Sequence, residues 1–208
     1  MTITNEKIAV DLSKYSSQMD LSELFGNDNS IHLEVGSGKG TFLVNQAGLH
    51  PQFNYLGIEW ANKYYRYSVD RVRRWQLTNV RILRTDARQF IKHYLRDNSV
   101  AAFHIYFPDP WPKKRHQKRR FFTPENLLEV ARCLIPSGQL RIATDYAEYF
   151  EVIQHLLLHQ PETAKLFEQE QFFPGPAAQK DEWVGTNFER KYIKQGRQIY
   201  TLAMRNVK

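Results

Sequence analysis

The sequence predicts an α/β fold: a mostly parallel central sheet, an antiparallel edge strand, and helices on both faces. Three observations predict it. Short apolar runs alternate with segments of helical spacing from residue 31 to 145, the pattern of crossover units that build parallel sheets. A glycine-rich turn follows the first run directly. The last twenty residues break the alternation, because Gly196 is followed by a further apolar run.

The elements follow in order. "IHLEVG" (31–36) and "NYLGIEW" (54–60) read as buried strands, as do "VRILRTD" (80–86), "VAAFHIYF" (100–107) and "GQLRIATD" (138–145). Within 61–77, Tyr65, Val69, Val72 and Gln76, with Ser68 and Trp75, form a moderately apolar helical stripe, and Lys63, Arg66, Arg73 and Arg74 fall elsewhere. "TPENLLEVARCL" opens with a Thr cap and a proline at the first helical position. "NFERKYIKQGRQIYTLAMRNV" (187–207) points to a closing hairpin or an antiparallel edge strand, and 172–182 is the most loop-like stretch. Residues 1–30 read as a loosely ordered lead-in to a single domain over 31–208.

Composition narrows the class. Hydrophobic residues are 42% and charged residues 25% of the 208, the balance of a globular protein. No apolar run approaches the roughly 18–20 residues that cross a bilayer, and the first 25 residues lack a secretory pattern. A cytoplasmic protein that avoids membranes is expected. Cys133, the only cysteine, sits in an apolar helical pattern as a buried filler. The seven histidines show no metal-ligand spacing, so no metal is expected. His104 alternates into a core strand as a satisfied interior histidine.

Net charge is +7, from 29 basic and 22 acidic residues. Lys113, Lys114, Arg115, Lys118, Arg119 and Arg120 supply six of the basic ones, and without them 23 face 22. A basic excess concentrated in one place points to a polyanionic partner.

The chemistry is carried by strand ends. Gly36, Gly38 and Gly40 allow a sharp turn and close ligand approach before a helix. A dinucleotide fingerprint would need glycine where Thr41 stands, and a P-loop would need Ser or Thr where Gly40 stands. Glu34, Glu59 and Asp86 close three successive strands, and in a parallel sheet such ends line one crevice. Glu59 suits a ribose, whose two hydroxyls meet two carboxylate oxygens. Asp86, with the backbone of Ala87, suits the amino edge of an adenine. Three acids repel a pyrophosphate and favour a cationic nucleoside, which describes S-adenosylmethionine; NAD is its chief competitor.

A fourth strand delivers Asp109 to the same edge, fixed between prolines and followed by Trp111 and the cations. A carboxylate for N–H donors, an aromatic face and a row of cations together suit a guanine in RNA. Tyr64, Tyr65 and Tyr67 are expected to pack or border the sheet.

"LEVGSGKG", "GIE", "TDA", "FPDPWPKKRHQKRR", "TDYAEYF" and "TNFERKY" together resemble the tRNA (guanine-N(7)-)-methyltransferase family over about residues 31–200. The resemblance implies a Rossmann-like class I methyltransferase fold. It implies methyl transfer from S-adenosyl-L-methionine to the 7-nitrogen of a guanine in the tRNA variable loop, position 46; the protein is expected to be a monomer or homodimer. Glu34, Glu59, Asp86 and Asp109 match donor contacts, and Asp109 also matches the active-site acid. Lys113, Asp145, Thr186, Asn187, Phe188 and Glu189 match positions that hold the target nucleotide, and Lys114, Arg115, His116, Lys118 and Arg119 match an RNA-contacting loop. The purine gains positive charge during transfer, so a carboxylate beside it favours the transition state; Asp109 is assigned the chemistry and Asp145 the grip on the base. Three rivals stand beside this: a nicotinamide-dependent oxidoreductase, an RNA-binding module without catalysis, and a small-molecule methyltransferase.

Overall fold

The computed structural model describes residues 3–208. Its sheet has eight strands: β1 (Ala9–Val10), β2 (Ile31–Val35), β3 (Asn54–Ile58), β4 (Val80–Leu83), β5 (Val100–Tyr106), β6 (Leu134–Thr144), β7 (Phe167–Glu170) and β8 (Tyr200–Asn206). Their spatial order is β1-β4-β3-β2-β5-β6-β8-β7. Pairings from β1 to β6 are parallel, and β8 runs antiparallel to both β6 and β7. The order reverses at β2, with β3 on one side and β5 on the other, which opens a crevice above the carboxyl ends.

Each face is covered. On one, α3 (Thr41–Leu49) and α4 (Asn62–Arg74) set Phe42, Leu43, Val69 and Val72 against Tyr55, Val80 and Ile82. On the other, α5 (Ala87–Tyr94), α6 (Pro124–Cys133) and α7 (Ala147–Leu158) set Phe90, Val130 and Ile153 against Leu33, Leu56, Phe103 and Ile142. The five expected strands and the helices at 61–77 and 124–133 are all present. Thr123 caps α6 by accepting from the Asn126 N–H. The apolar stripe of α4 ends at Val72, because Trp75 and Gln76 turn out to solvent.

Two expectations are corrected. From residue 3 onward the lead-in is not loose, residues 1 and 2 lying outside the described ones: α1 (Asn5–Ile8) buries Ile8, β1 adds an edge strand beside β4, and α2 (Leu21–Phe25) packs Leu21 and Phe25 into the core. These residues are too short or too polar for a periodic signal. In the tail, 187–194 is a helix, α9, rather than a hairpin arm, and β8 lies one strand in from the edge. The antiparallel edge strand is β7, which follows α8 (Pro161–Ala164). Residues 172–182 are loop, as expected.

Cys133 is fully buried, and burial pushes its thiol up to about 12, in keeping with a filler. His104 is satisfied: Nδ1 meets the Tyr106 hydroxyl at 2.8 Å and Nε2 meets His32 Nδ1 at 3.1 Å. Among the described residues no helix is long and apolar enough to cross a membrane.

The β3–α3 contact that sets the glycine loop is close. A Cβ on Gly57 would lie 2.4 Å from Leu43 Cδ1 and 3.1 Å from Ser37 Oγ. Gly57→Ala should therefore destabilise the protein by about 1–3 kcal/mol, the usual cost of overpacking; denaturant melts should show a lower midpoint at unchanged slope, and an unchanged midpoint would contradict this packing.

Candidate active site

The glycine loop joins β2 to α3. Gly36, Gly38 and Gly40 all have positive φ, at 75°, 54° and 67°, a conformation that costs other residues strain. At Gly40 a Cβ would also lie 2.9 Å from the Ser68 Cβ, whereas the space beside Gly36 is open. Four of the loop's N–H groups are spent within the protein. Gly36 and Ser37 donate to the Ile58 carbonyl, Gly38 donates to Glu59 Oε2 at 2.8 Å, and Gly40 donates to the Ser37 carbonyl.

Two adjoining cavities, of about 450 and 440 Å³, open over the carboxyl ends of β2, β3, β4 and β5 and share Gly36, Gly38, Tyr64, Tyr106, Phe107 and Phe188. The first also takes in Glu34, Thr186 and Asn187; the second takes in Glu59, Asp86, Ala87, Asp109 and Arg119. The expected donor contacts, except Gly40, thus meet in one divided hollow. Gly40 lies behind it as the turn into α3.

The acids differ in how their charge is handled. Glu34 is buried, and its Oε2 has no partner among the described residues; neither has Ser37 Oγ on the same cavity. Burial, reinforced by the negative charge of Glu59, raises the Glu34 carboxyl well above the usual range. Glu59 ties the hollow together, with Oε2 on Gly38 N–H and Oε1 on Ala61 N–H at 2.7 Å. Asp86 caps α5 through Arg88 and Gln89 N–H groups and pairs with the Arg88 guanidinium at 2.8 Å, whose hydrogen bond lowers its carboxyl. Asp109 is exposed on the wall of the hollow, and no ion pair among the described residues uses it.

The turn that presents Asp109 is bent at both ends. Phe107 and Trp111 have φ of 53° and 43°, rare for bulky residues and a form of strain that concentrates at functional sites. Arg120 holds this turn: it is buried, donates to the Pro110 carbonyl at 2.8 Å and lies 4.6 Å above the Tyr149 ring. Arg120 is therefore an anchor and no part of the free cation run. The other cations form a 3-10 turn, Lys114–Arg119, preceded by Lys113. Arg119 stacks 4.9 Å over Trp111, and His116 packs edge-on to the same indole. No residue from 113 to 119 enters any ion pair among the described residues.

The segment 186–189 divides. Thr186, Asn187 and Phe188 line the first cavity. Glu189 does not reach it: the fully buried carboxylate accepts from the N–H groups of Trp183, Val184 and Gly185 and so holds that loop. Thr186 caps α9 through the Glu189 N–H at 3.1 Å, the first half of a capping box. Asp145 lies just beyond β6 and is paired with Arg197 at 2.6 Å. Lys113 is exposed and lines neither cavity. Two residues of the site, Phe107 and Tyr192, had not been singled out from sequence, and they join Phe188, which had. Phe107, Phe188 and Tyr192 form an aromatic wall, with centroids 5.5–6.4 Å apart. Tyr64, expected to border the sheet, lines both cavities; Tyr65 packs in the core, and Tyr67 lies under Lys39.

The arrangement can hold a cationic nucleoside. The unpartnered Glu34 oxygen awaits a donor, and the carboxylate oxygens of Glu59 retain lone pairs for hydroxyls.

Comparisons with known proteins agree with this chemistry. A family model described as "Putative methyltransferase" matches residues 28–202. The chain is 37% identical over 187 residues to the tRNA (guanine-N(7)-)-methyltransferase of Alkalilimnicola ehrlichii, covering 90% of this chain and 77% of that protein. It is 36% identical over 192 residues to the protein of the same name from Rhodopirellula baltica, covering 88% and 68%. In fold it resembles a SAM dependent methyltransferase from Aquifex aeolicus, with TM-score 0.57, 17% identity, and coverage of 90% and 88%.

Because burial raises the Glu34 carboxyl well above the usual range, a cation beside it should favour release of its proton. Calorimetric titration with S-adenosylmethionine in two buffers of different ionisation enthalpy should show proton release, and affinity should rise with pH through the Glu34 pKa. Glu34→Gln should abolish both effects; proton release that persists in that variant would remove Glu34 from the site.

Proposed function

The chain belongs to the tRNA (guanine-N(7)-)-methyltransferase family, and from that premise we propose that the hollow binds S-adenosyl-L-methionine beside a guanine of the tRNA variable loop, position 46. The protein transfers a methyl group to the 7-nitrogen of a tRNA guanine, and it does so in the cytoplasm.

S-adenosylmethionine supplies the methyl group on a sulfonium. Everything else falls to the chain's own groups. Glu34 receives the donor's ammonium, Glu59 its ribose hydroxyls, and Asp86 with Ala87 its adenine edge. Gly36 leaves the floor open, because nothing lies within 4 Å of where its Cβ would be. Thr186, Asn187 and Phe188 close the side facing the substrate.

The 7-nitrogen carries a free lone pair, so no residue has to remove a proton from it. Methyl transfer from a bound donor would form the C–N bond as the C–S bond breaks, and the positive charge would pass from the sulfur to the purine. Asp109 faces that developing charge, and Asp145 accepts from the base's N–H edge, each interaction strengthening as the charge forms. Lys113, Lys114, Arg115, His116, Lys118 and Arg119 meet the phosphate backbone. The observation that carries this reading is Asp109, an unpaired carboxylate sharing one hollow with Glu59 and Asp86 at the base of an acid-free cation loop.

Incubation of unmodified tRNA with labelled methyl donor, followed by cleavage mapping, should reveal 7-methylguanosine in the variable loop; an empty map would refute the proposal. Asp109→Ala should lower turnover by about two orders of magnitude, since charge-assisted hydrogen bonds contribute about 1.5–3 kcal/mol. Near-normal turnover would take Asp109 out of the chemistry. Replacing Lys114, Arg115 and Lys118 with alanine should weaken tRNA binding and flatten its salt dependence by roughly 0.7–0.9 log units of slope per lost phosphate contact. An unchanged slope would leave the loop a solvated face.

A further inference from the structure

We infer that Tyr192 is the stacking face for the target guanine, and that Arg197 occupies the place of that base until RNA displaces it. This rests on the guanine-N7 reading of the site. Arg197 Nη1 donates to Asp145 Oδ2 at 2.6 Å, and the guanidinium carbon lies 4.8 Å from the centroid of the Tyr192 ring. A flat group with adjacent N–H donors therefore has its edge on a carboxylate and its face on an aromatic ring. Guanine presents the same pattern, because its N1–H and N2–H₂ edge belongs to a cyclic guanidine. Adenine lacks it: its ring nitrogen would set a lone pair against the carboxylate.

The slot adjoins the hollow. Asp145 follows β6, the strand beside the one that leads to Asp109. The Tyr192 ring stacks 6.1 Å from Phe188 and lies 5.5 Å from Phe107, and both of those line the two cavities. Burial raises the Tyr192 phenol, the charge of Asp145 adds to this, that of Arg197 opposes it, and that of Asp109 adds a smaller part.

The pair is built to open on one side. The Asp145 side chain is 12% exposed and Arg197 is 50% exposed, so the acid stays and the cation can swing into water. A half-exposed pair holds weakly. The backbone need not move, because Arg197 N–H is fixed to the Tyr192 carbonyl at 3.0 Å behind the turn at Gly196. An internal occupant lowers apparent affinity by the fraction of time the slot is closed. Removing it should tighten guanine binding.

The test uses the full chain with S-adenosylhomocysteine present and measures binding of guanosine and adenosine monophosphates by NMR titration. Arg197→Ala should bind guanosine monophosphate at least about threefold more tightly than the wild type, with adenosine monophosphate unchanged. Tyr192→Leu should bind guanosine monophosphate about tenfold more weakly, while Tyr192→Phe, which keeps the ring, should stay near the wild type. In parallel, KM for unmodified tRNA should fall in Arg197→Ala. Equal, weaker or undetectable guanosine monophosphate binding in Arg197→Ala would overturn the inference, as would unchanged binding in Tyr192→Leu; a higher KM for tRNA would mean that Arg197 holds the RNA instead. A wild type that methylates no tRNA guanine would refute the proposed function, and the nucleotide titrations would still judge the slot.

Discussion

Carboxylates gathered on one rim must each be neutralised, solvated or protonated, and the whole site follows from how this rim does it. Asp109 meets water. Asp86 has a helix N-terminus and Arg88. Glu59 has two backbone N–H groups. Glu34 has none of these: it is buried, one oxygen is unpartnered, and its carboxyl is raised. Leaving such a group unmatched costs about 1–3 kcal/mol in a folded protein. A cation that repays that cost recovers binding energy, so the rim selects its ligand by charge before any contact with a base.

The second constraint is that six basic residues follow Asp109 within eleven positions and yet none neutralises it. Geometry keeps them apart. Positive φ at Phe107 and Trp111 turns the chain out of β5 and back again. Arg120 pins the turn from below through the Pro110 carbonyl, and Arg119 is drawn onto the Trp111 face. One arginine of the run is thus spent on structure, and a second is held by an indole. What remains is a fixed negative point beside a positive strip unpaired among the described residues, the polarity needed to hold a purine that becomes cationic within a polyanionic chain.

Much of this was legible in the sequence because it is local. Strands read from apolar runs, α6 from Thr123 and Pro124, and the crevice from acids at strand ends. "TNFE" also carried its helix start, since Thr186 caps and Glu189 stands three residues on, but the glycine ten residues later made the segment look like a hairpin. The remaining features are not local. Asp145 and Arg197 are 52 positions apart. Arg120 was indistinguishable from its basic neighbours until Tyr149 came beneath it. The lead-in gained order because β4 offered an open edge to Ala9 and Val10 and the core took in Ile8, Leu21 and Phe25. Burial of Glu34 without a partner could not be read from "LEVG", because a partner might have come from any other strand.

The same loop decides against a dinucleotide more firmly than its missing glycine does. A phosphate-cradling loop must keep its N–H groups free and aimed at the ligand, since those groups and the helix dipole are what bind the anion. Here Gly36, Ser37, Gly38 and Gly40 all donate within the protein, and Gly38 gives its N–H to a carboxylate. That carboxylate occupies the place a phosphate oxygen would need. A pyrophosphate entering this hollow would have to displace Glu59 and then sit between Glu34 and Asp86, losing two hydrogen bonds to gain two repulsions. The glycines serve a different end: they let the backbone fold tightly onto β3, so that the acid, and not the loop, faces the ligand.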